Sequence, residues 1–330
     1  MRAAVYAGTG GPEVIALREL PEPHCGTDDA LVDVAFAGLN RADILDRMGV
    51  YGGGKRAQEV VPGLEFSGTV RDVGAGVKDL RAGQRVCGLV AGGAHAAVLA
   101  AQAQTLAVLP EGVSLEEGAA IPEAFLTAYD ALFTLGALGI GQNVLVHAVG
   151  SSVGLAAIAL AEHAGAFTIG TSRTETKLER AQAFGLDLGL LLDETWPQRA
   201  REATAGRGVE LVLDFIGEPT FEGNVSALTS GGRIIQIGTL GGQRASVSLG
   251  AMMVKRLSLV NTVMKTRPLD EKIALARVLE RRLLPLFARG KLRAEIDTVF
   301  PLAELADAHR EMEANTNFGK IVIALQPDRN

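Results

Sequence analysis

The chain has 330 residues, 48% of them hydrophobic and 5% aromatic, and a formal net charge of −6, which leaves room for two cores but argues against a dedicated nucleic-acid surface. Its two cysteines, Cys25 and Cys87, lack the spacing and the histidine neighbours of a disulfide framework or a structural zinc site. No apolar stretch is long enough to span a bilayer and the first residues lack the apolar core of a signal peptide, so we expect a cytoplasmic protein with no membrane partner.

The first 122 residues are dominated by short β segments and glycine-rich corners. Apolar runs bounded by turn residues predict strands at 3–6, 30–37, 65–73, 85–89 and 95–99. Helices are predicted at 115–120 and 124–135, on either side of Pro122. This pattern indicates a small, barrel-like β domain.

Further along the chain, strands alternate with helical stretches. The strands are predicted at 143–147, 167–171, 188–192, 209–215, 233–237 and 258–263. Such alternation requires a parallel sheet covered on both faces, and right-handed crossovers make it a Rossmann sheet. The last of these strands would expose an apolar sheet edge, so we expect a homodimer formed by edge pairing.

The tail returns to helix and strand. Residues 270–289 have the pattern of an amphipathic helix with a break at Pro285. Strands are predicted at 297–300 and 320–324, on either side of a helix at 302–314. We expect these last elements to rejoin the first domain, so that the Rossmann unit is inserted between two halves.

The turn after the first Rossmann strand suits a dinucleotide. Small residues at 148–152 let a backbone approach a pyrophosphate, and the helix N-terminus offers unpaired N–H groups. Of a strict GxGxxG pattern only Gly154 is present, since Val149 and Ser151 stand at the other glycine positions. An ordinary buried turn is the alternative. The flanking strand and helix favour a cofactor site formed by Val149, Gly150, Ser151, Ser152, Val153 and Gly154.

The end of the second Rossmann strand selects the cofactor. NAD-binding units usually place Asp or Glu there to hold the ribose 2′-hydroxyl. This chain has Thr171, Ser172 and Arg173, with Lys177 one helical turn later. Hydroxyls and two cations suit a 2′-phosphate, which predicts NADPH rather than NADH. The alternative is an exposed ion-pair cluster of the two cations with Glu175.

Several motifs together resemble the zinc-free quinone oxidoreductases of the zeta-crystallin type, within the medium-chain dehydrogenase/reductase superfamily, and most closely their tumour-suppressor-inducible branch. The motifs lie at 38–43, 62–68, 120–128, 213–217 and 312–322. The resemblance implies an α/β fold with two domains. A Rossmann domain with a six-stranded parallel sheet would span 123–265, and a GroES-like, β-barrel-like catalytic domain would comprise 1–122 and 266–330.

The same resemblance bears on metal chemistry. In zinc-dependent alcohol dehydrogenases of the superfamily, a cysteine and a histidine that bind zinc occupy the positions of Asn40 and Leu64. Asn and Leu cannot replace them, and the four structural cysteines are missing as well. We therefore predict no metal, and an acceptor that already draws electrons, such as a quinone or a conjugated enone.

The resemblance also implies the site residues. It carries Asn40, Tyr51 and Thr127 to the active site as catalytic and cofactor-contacting residues, with Thr127 near the nicotinamide amide. Tyr51 either hydrogen-bonds the acceptor oxygen and relays a proton, or only covers the cofactor. Further cofactor contacts are implied at strand ends and in the tail: Thr171, Ser172, Lys177, Gly238, Thr239, Leu240, Val263, Met264, Lys265 and Asn317. His147 is expected to be a hydrogen-bonded strand-end residue rather than a catalyst.

Three functions remain open from the sequence. The first is an NADPH:quinone oxidoreductase that transfers hydride directly, without flavin. The second is an NADPH-dependent reductase of enones or 2-enoyl thioesters, which the same site could serve. The third is a non-enzymatic, crystallin-like protein that binds NADPH or RNA, although the acidic charge balance and the lack of a basic stripe count against RNA.

Overall fold

A computed structural model describes residues 1–50 and 59–325 of the chain. Contacts within the chain define two compact units. Unit 1 comprises residues 1–126 and 265–330, and unit 2 comprises residues 127–264. No helix among the described residues is both long enough and apolar enough to cross a membrane.

The strands and helices are numbered in chain order. The strands are β1 Arg2–Tyr6, β2 Ile15–Glu19, β3 Asp29–Leu39, β4 Glu65–Val73, β5 Arg85–Leu89, β6 Val98–Gln102, β7 Leu106–Val108, β8 Asn143–Val146, β9 Phe167–Ser172, β10 Leu188–Leu191, β11 Val209–Asp214, β12 Leu228–Gln236, β13 Ser258–Asn261, β14 Ile296–Pro301 and β15 Lys320–Ala324. The α-helices are α1 Arg41–Arg47, α2 Leu115–Ala120, α3 Pro122–Tyr129, α4 Ser152–His163, α5 Glu175–Ala181, α6 Trp196–Ala203, α7 Glu218–Ala227, α8 Leu249–Lys255, α9 Leu269–Val278, α10 Leu284–Ala288 and α11 Leu305–Ala314. Two π-helical turns, Asp130–Leu135 and Leu279–Leu283, follow α3 and α9.

Unit 1 is built on a mixed sheet. Its strand order is β14-β15-β3-β4-β5-β7, with β6 paired to β3, and β1 and β2 form a separate two-stranded sheet. The tail strand β15 lies antiparallel to β3, with Ile321 opposite Leu39. Aliphatic side chains of the sheet and of α11 share one core, which includes Val34, Phe66 and Leu305. Residues from the two ends of the chain therefore meet in one sheet.

Unit 2 is a doubly wound parallel sheet. Its strand order is β10-β9-β8-β11-β12-β13, and every neighbouring pair is parallel. The chain leaves the centre after β8, builds β9 and β10 on one side, and returns to build β11 to β13 on the other. Ligands of such sheets bind at the carboxyl ends of the strands, where the winding reverses. The predicted α/β architecture with a six-stranded parallel sheet is confirmed.

Several local predictions were wrong in their bounds, including the strand predicted at 233–237, which is β12, Leu228–Gln236. The strand predicted at 95–99 is β6, Val98–Gln102, three residues later. The helix predicted at 270–289 is interrupted by a π-helical turn that begins at Leu279, ahead of Pro285. The proline lacks an N–H and its ring crowds the preceding turn, so the distortion falls on its N-terminal side. Pro122 begins α3 instead of separating two helices, since a helix tolerates proline in its first turn.

Candidate functional site

In the turn between β8 and α4, the backbone packs closely against the first residues of the helix. Ser151 is the N-cap of α4, and its Oγ accepts a hydrogen bond from the Gly154 N–H at 3.1 Å. Ala148 adopts a left-handed conformation, with φ of 46°. A Cβ at Gly154 would lie 2.7 Å from the carbonyl oxygens of Ala148 and Val149, so only glycine fits there.

The N-terminus of α4 fits a pyrophosphate. The helix has 12 residues, and its first backbone hydrogen bond runs from Leu155 N–H to Ser151 O at 2.9 Å. The amides of Ser152 and Val153 precede that bond and have no acceptor within the helix. Residues 151–153 are partly exposed, so these donors and the positive end of the helix dipole are accessible to an anion.

A buried polar network joins the carboxyl ends of β8, β9 and β11. His147 lies 2.7 Å from Thr171 Oγ1 through Nδ1 and 2.7 Å from Asn224 Oδ1 through Nε2. Asn224 Nδ2 donates to Asp214 Oδ2 at 2.7 Å. Burial lowers the pKa of His147, against the effect of the Asp214 charge. The imidazole is therefore neutral, and because an amide oxygen only accepts, Nε2 carries the proton.

This network supplies the hydrogen-bond partners of the Thr171 and His147 side chains. The Thr171 side chain is fully buried, and its hydroxyl donates to His147 Nδ1. That hydroxyl therefore links β9 to the residue that follows β8 within the protein interior. His147 uses both ring nitrogens, as expected of a hydrogen-bonded strand-end residue.

The end of β9 is polar and carries no acidic side chain. Ser172 is 7% exposed, and its Oγ accepts from the Thr174 N–H at 3.2 Å. Arg173 is exposed, and Lys177 lies half-buried in the first two turns of α5. Two cations beside a hydroxyl fit a phosphate, whereas a free ribose diol is normally held by a carboxylate.

The remaining predicted residues of unit 2 follow β12 or β13, except Thr127, which lies on α3. Thr239 and Leu240 are exposed after β12, and Leu240 N–H donates to Phe215 O at 3.1 Å. Val263 is 45% exposed after β13. Thr127 is 4% exposed, and its Oγ1 has no hydrogen-bond partner among the described residues. A buried hydroxyl of this kind fits a bound group with a polar end, such as a carboxamide. Gly238 precedes Thr239, and Met264 is buried beyond Val263.

Unit 1 contains a second buried polar cluster, centred on Asn40, the N-cap of α1. Asn40 Oδ1 accepts from Lys320 Nζ at 2.7 Å, and Asn40 Nδ2 donates to Glu65 Oε1 at 2.9 Å. Lys320 Nζ also lies 2.6 Å from Glu65 Oε1. Glu65 Oε2 accepts from the Glu123 N–H at 2.8 Å, and Asp43 Oδ2 accepts from the Asn40 N–H at 2.9 Å.

This cluster holds more carboxyl groups than cations. Burial raises the pKa of Asp43 to about 7, and the charge of Glu65 adds to the rise. Burial likewise raises the pKa of Glu123 to about 8, again with a contribution from Glu65. These carboxyl groups therefore exchange protons close to neutral pH.

The donor set around Asn40 does not fit a zinc ion. Among the described residues, no group of three or more His, Cys, Asp or Glu side chains could hold a metal. The Asn40 oxygen faces the Lys320 ammonium, which would repel a second cation, and Leu64 offers no donor. Neither residue replaces a thiolate or an imidazole.

The other predicted residues of unit 1 have their own partners. Lys265 Nζ lies 3.3 Å from Asp46 Oδ2, and Asn317 Nδ2 donates to Gly319 O at 3.0 Å. Tyr51 lies outside the described residues. In unit 2 the predicted residues other than Thr127 and Lys177 lie at or just after the carboxyl ends of β8, β9, β12 and β13, while Asn40, Lys265 and Asn317 belong to unit 1.

The partners in both clusters were not predicted from the sequence. They are Glu65 and Lys320 in unit 1, and Asp214 and Asn224 in unit 2. One signal was available, because Glu65 begins a strand of small and apolar residues and Lys320 begins an apolar one. A charged side chain in a buried strand needs a partner nearby.

Comparisons with known proteins agree with this architecture. Residues 26–129 match the family described as alcohol dehydrogenase GroES-like domain, and residues 184–323 match the family described as zinc-binding dehydrogenase. A crystal structure of an NAD-dependent alcohol dehydrogenase is 31% identical, with a TM-score of 0.89, over 99% of this chain and 100% of that one. The chain belongs to the medium-chain dehydrogenase/reductase superfamily. Its α/β fold with a GroES-like domain and a Rossmann-like domain is confirmed.

Members of this superfamily with other names are equally similar. The Escherichia coli quinone oxidoreductase, solved with NADPH, is 28% identical with a TM-score of 0.90, over 98% of this chain and 100% of that chain. The human synaptic vesicle membrane protein VAT-1 homolog is 28% identical over 345 residues, covering 100% of this chain and 88% of that protein. One component of the phenolphthiocerol/phthiocerol polyketide synthase of Mycobacterium tuberculosis is 32% identical over 330 residues, 98% of this chain but 15% of that protein. The chain is thus an oxidoreductase of this superfamily with a nicotinamide cofactor.

Proposed function

We propose that this oxidoreductase uses NADPH to reduce quinones by direct hydride transfer, without zinc or flavin. The observation that carries the choice of NADPH is the end of β9, where Ser172 and Arg173 stand in place of an acidic residue and Lys177 follows, although Glu175 lies between the two cations. Each charge-assisted hydrogen bond from such cations to a 2′-phosphate contributes about 1.5–3 kcal/mol. The similarity to a quinone oxidoreductase solved with NADPH supports the same cofactor.

The proposed cofactor contacts follow the strand ends. The turn at residues 149–154 would hold the pyrophosphate, chiefly through the amides of Ser152 and Val153, and the buried Thr127 hydroxyl would hold the nicotinamide carboxamide. Gly238, Thr239, Leu240, Val263 and Met264 would line the nicotinamide side, and Lys265 and Asn317 are further proposed cofactor contacts. When bound, the cofactor supplies a hydride at nicotinamide C4.

The protein's own part in the reaction is positioning and proton handling. Asn40 would donate a hydrogen bond to the acceptor's carbonyl oxygen, where negative charge develops as hydride arrives. Tyr51 would deliver the proton that this oxygen then takes. Because quinones and enones accept hydride without a Lewis acid, the absence of zinc ligands around Asn40 fits this chemistry.

A reductase of enones or 2-enoyl thioesters is the second candidate. The similarity to polyketide synthases, including the component PikAII of Streptomyces venezuelae at 30% identity over 333 residues, favours it. That match covers 8% of the synthase component. Both candidate acceptors present a carbonyl oxygen to Asn40, so the same residues serve either reaction.

We also propose a cytoplasmic homodimer with no nucleic-acid or membrane partner. Strand β13 pairs with β12 on one side and, among the described residues, with no strand on the other. Leu259 on β13 is 41% exposed, and Met253 and Val254 on α8 are 76% and 80% exposed. Burial of this apolar surface against a second copy would remove it from water. A sedimentation mass near 34.5 kDa at micromolar protein would contradict the dimer.

The deciding experiment is a set of steady-state rates. The purified protein, dialysed against a chelator, is assayed with NADPH and NADH against 1,4-naphthoquinone, methyl vinyl ketone and crotonyl-CoA. We expect kcat/KM for NADPH to exceed that for NADH at least tenfold, and the quinone to be the preferred acceptor. Preference for crotonyl-CoA would select the second candidate. No turnover with any acceptor, together with tight NADPH binding, would favour the non-enzymatic alternative.

A further inference from the structure

The amide of Asn40 is held at both ends by charged groups that are themselves buried. The side chains of Lys320 and Glu65 are 1% and 0% exposed. Lys320 Nζ lies 2.7 Å from Asn40 Oδ1, and Glu65 Oε1 lies 2.9 Å from Asn40 Nδ2. All three residues belong to unit 1, on β15, β4 and the residue that follows β3.

The chemistry of these partners allows one orientation of the amide. An ammonium only donates hydrogen bonds, and a carboxylate only accepts them. The Asn40 oxygen must therefore face Lys320, and the Asn40 nitrogen must face Glu65. A rotated amide would place an N–H against the ammonium and an oxygen against the carboxylate, which costs both hydrogen bonds.

The same contacts change the donor strength of the amide. A hydrogen bond from an ammonium to Oδ1 draws electron density out of the amide and polarises its N–H bonds. One Nδ2 hydrogen is used by Glu65, and the second is left over from this pair of bonds. The contact with Lys320 strengthens that second hydrogen as a donor, against the opposite effect of the hydrogen bond that the same nitrogen donates to Glu65, and the two contacts together fix its direction.

Stability alone does not explain a buried pair at this place. Removing two charges from water costs several kcal/mol per ion, and well-packed apolar residues often replace such pairs without loss. The Lys320–Glu65 pair lies against Asn40, the residue that stands where zinc-dependent relatives have a metal ligand. Its position indicates a role in the reaction.

We propose that Lys320 and Glu65 are positioning residues that fix and polarise the Asn40 amide, so that its second Nδ2 hydrogen is offered to the carbonyl oxygen of the acceptor. The inference rests on the proposed function. The inference also says which acceptors the site would select: those with a carbonyl oxygen that can accept this hydrogen bond. It makes Lys320 act through Asn40 and not on the acceptor itself.

The first test replaces the pair by neutral groups. The double variant Lys320→Met, Glu65→Gln keeps the volume and removes both charges, so no lone charge stays buried. With NADPH and 1,4-naphthoquinone we expect kcat to fall about 10- to 100-fold, less than the roughly 100- to 1000-fold loss on removal of an oxyanion donor, because the donor stays but is less well positioned. NADPH affinity, measured by its fluorescence, should change less than threefold. The deuterium isotope effect on kcat with C4-deuterated NADPH should rise, because the hydride step becomes slower, whereas a loss of folded protein would leave it unchanged.

A double-mutant cycle tests whether Lys320 acts through Asn40. In an Asn40→Ala background, the two neutral substitutions should lower kcat by less than twofold further, since the amide they position is gone. Additive losses would overturn the inference. Arg47→Met, Glu313→Gln is the matched control, because Arg47 is also fully buried and paired with a glutamate but contacts His309 instead of Asn40. This control should keep kcat within threefold.

A second variant covers a failure to fold. Asn40→Leu keeps the volume and removes the N–H donor without setting a second carboxylate against Glu65, and it should lower kcat about as much as Asn40→Ala. An unchanged kcat in the folded neutral-pair variant would overturn the inference while leaving the proposed function intact, whereas an unchanged kcat in the Asn40 variant would also remove Asn40 as the donor to the acceptor. No turnover of any acceptor by the unaltered protein would overturn both.

Discussion

Asp214 in unit 2 and Glu65 in unit 1 are both fully buried carboxylates, but their surroundings differ. Asp214 accepts hydrogen bonds from neutral donors only: Ile216 N, Gly217 N, Thr220 Oγ1 and Asn224 Nδ2. Glu65 accepts from an ammonium, an amide and a backbone N–H, with the carboxyl groups of Asp43 and Glu123 nearby.

The difference teaches how the two units use buried charge. Four neutral donors hold both oxygens of the Asp214 carboxylate, so the strand ends of unit 2 keep one geometry. A cluster in which three carboxyl groups share one ammonium changes its charge near neutral pH. The first arrangement suits a site that binds, and the second suits a site that handles protons.

The largest expected effect is the loss of Asp214. Asp214→Ala removes the acceptor of the Ile216 and Gly217 amides and of Asn224 Nδ2, whereas Thr220 Oγ1 keeps the Gly217 carbonyl at 3.0 Å. Since each buried donor that loses its acceptor costs about 1–3 kcal/mol, we expect the free energy of unfolding to fall by about 3 kcal/mol. Trp196 reports on unit 2 because it is the sole tryptophan and its ring lies 5.0 Å from that of His147. Urea unfolding followed by its fluorescence gives the change.

A matched variant sharpens this result. Asp214→Asn keeps an acceptor for the amides of Ile216 and Gly217 but turns an N–H₂ group toward Asn224, so it should lose about half as much. Equal stability of Asp214→Ala and the unaltered protein would contradict the view that neutral donors depend on this carboxylate.

The sequence predicts the fold of both units better than their polar clusters. Apolar runs alone give β4 and β5 with the observed bounds, because hydrophobic period and turn residues are local signals. Lys320 and Glu65 are 255 residues apart, and nothing local couples them. The seven-residue α1 was also missed, since two turns are too short to show a helical period.

The candidate site, like the fold, was predicted from the sequence only where its features are local. The phosphate turn and the cations after β9 were predicted because strand, turn and helix follow one another in the chain. The role of Thr171 could not be predicted, because it depends on His147, 24 residues earlier, and on Asn224 beyond it. Contacts between strand ends come from the sheet order, which a sequence pattern does not give.

A smaller effect is expected at the cofactor end of unit 2. Removing Arg173 and Lys177 takes two charge-assisted contacts from the proposed 2′-phosphate site. Arg173→Ala, Lys177→Ala should lower kcat/KM for NADPH about 10- to 100-fold, less than two full charge-assisted hydrogen bonds because Arg173 is exposed, and leave that for NADH within threefold. Arg199→Ala is the control, because Arg199 is an exposed cation of α6 in the same unit. Equal losses of kcat/KM with NADPH and with NADH would show that the two cations do not recognise the 2′-phosphate.

The smallest effect concerns the pH dependence of unit 1. The pKa of Asp43 is raised from 3.8 to about 7 by burial, so the folded state holds a proton that the unfolded state has lost. Its contribution to stability is complete below pH 4, falls as the pH rises, and is lost above about pH 7.

Asp43→Asn keeps an acceptor oxygen for the Asn40 N–H but does not titrate. Relative to this variant, the unaltered protein should lose about 1–3 kcal/mol between pH 5 and pH 7 and then no more up to pH 8. Thermal unfolding followed by circular dichroism at each pH measures the difference. A difference that is constant from pH 5 to pH 8 would remove Asp43 from the groups that titrate near neutrality, and with it the contrast between the charged cluster and the neutral one.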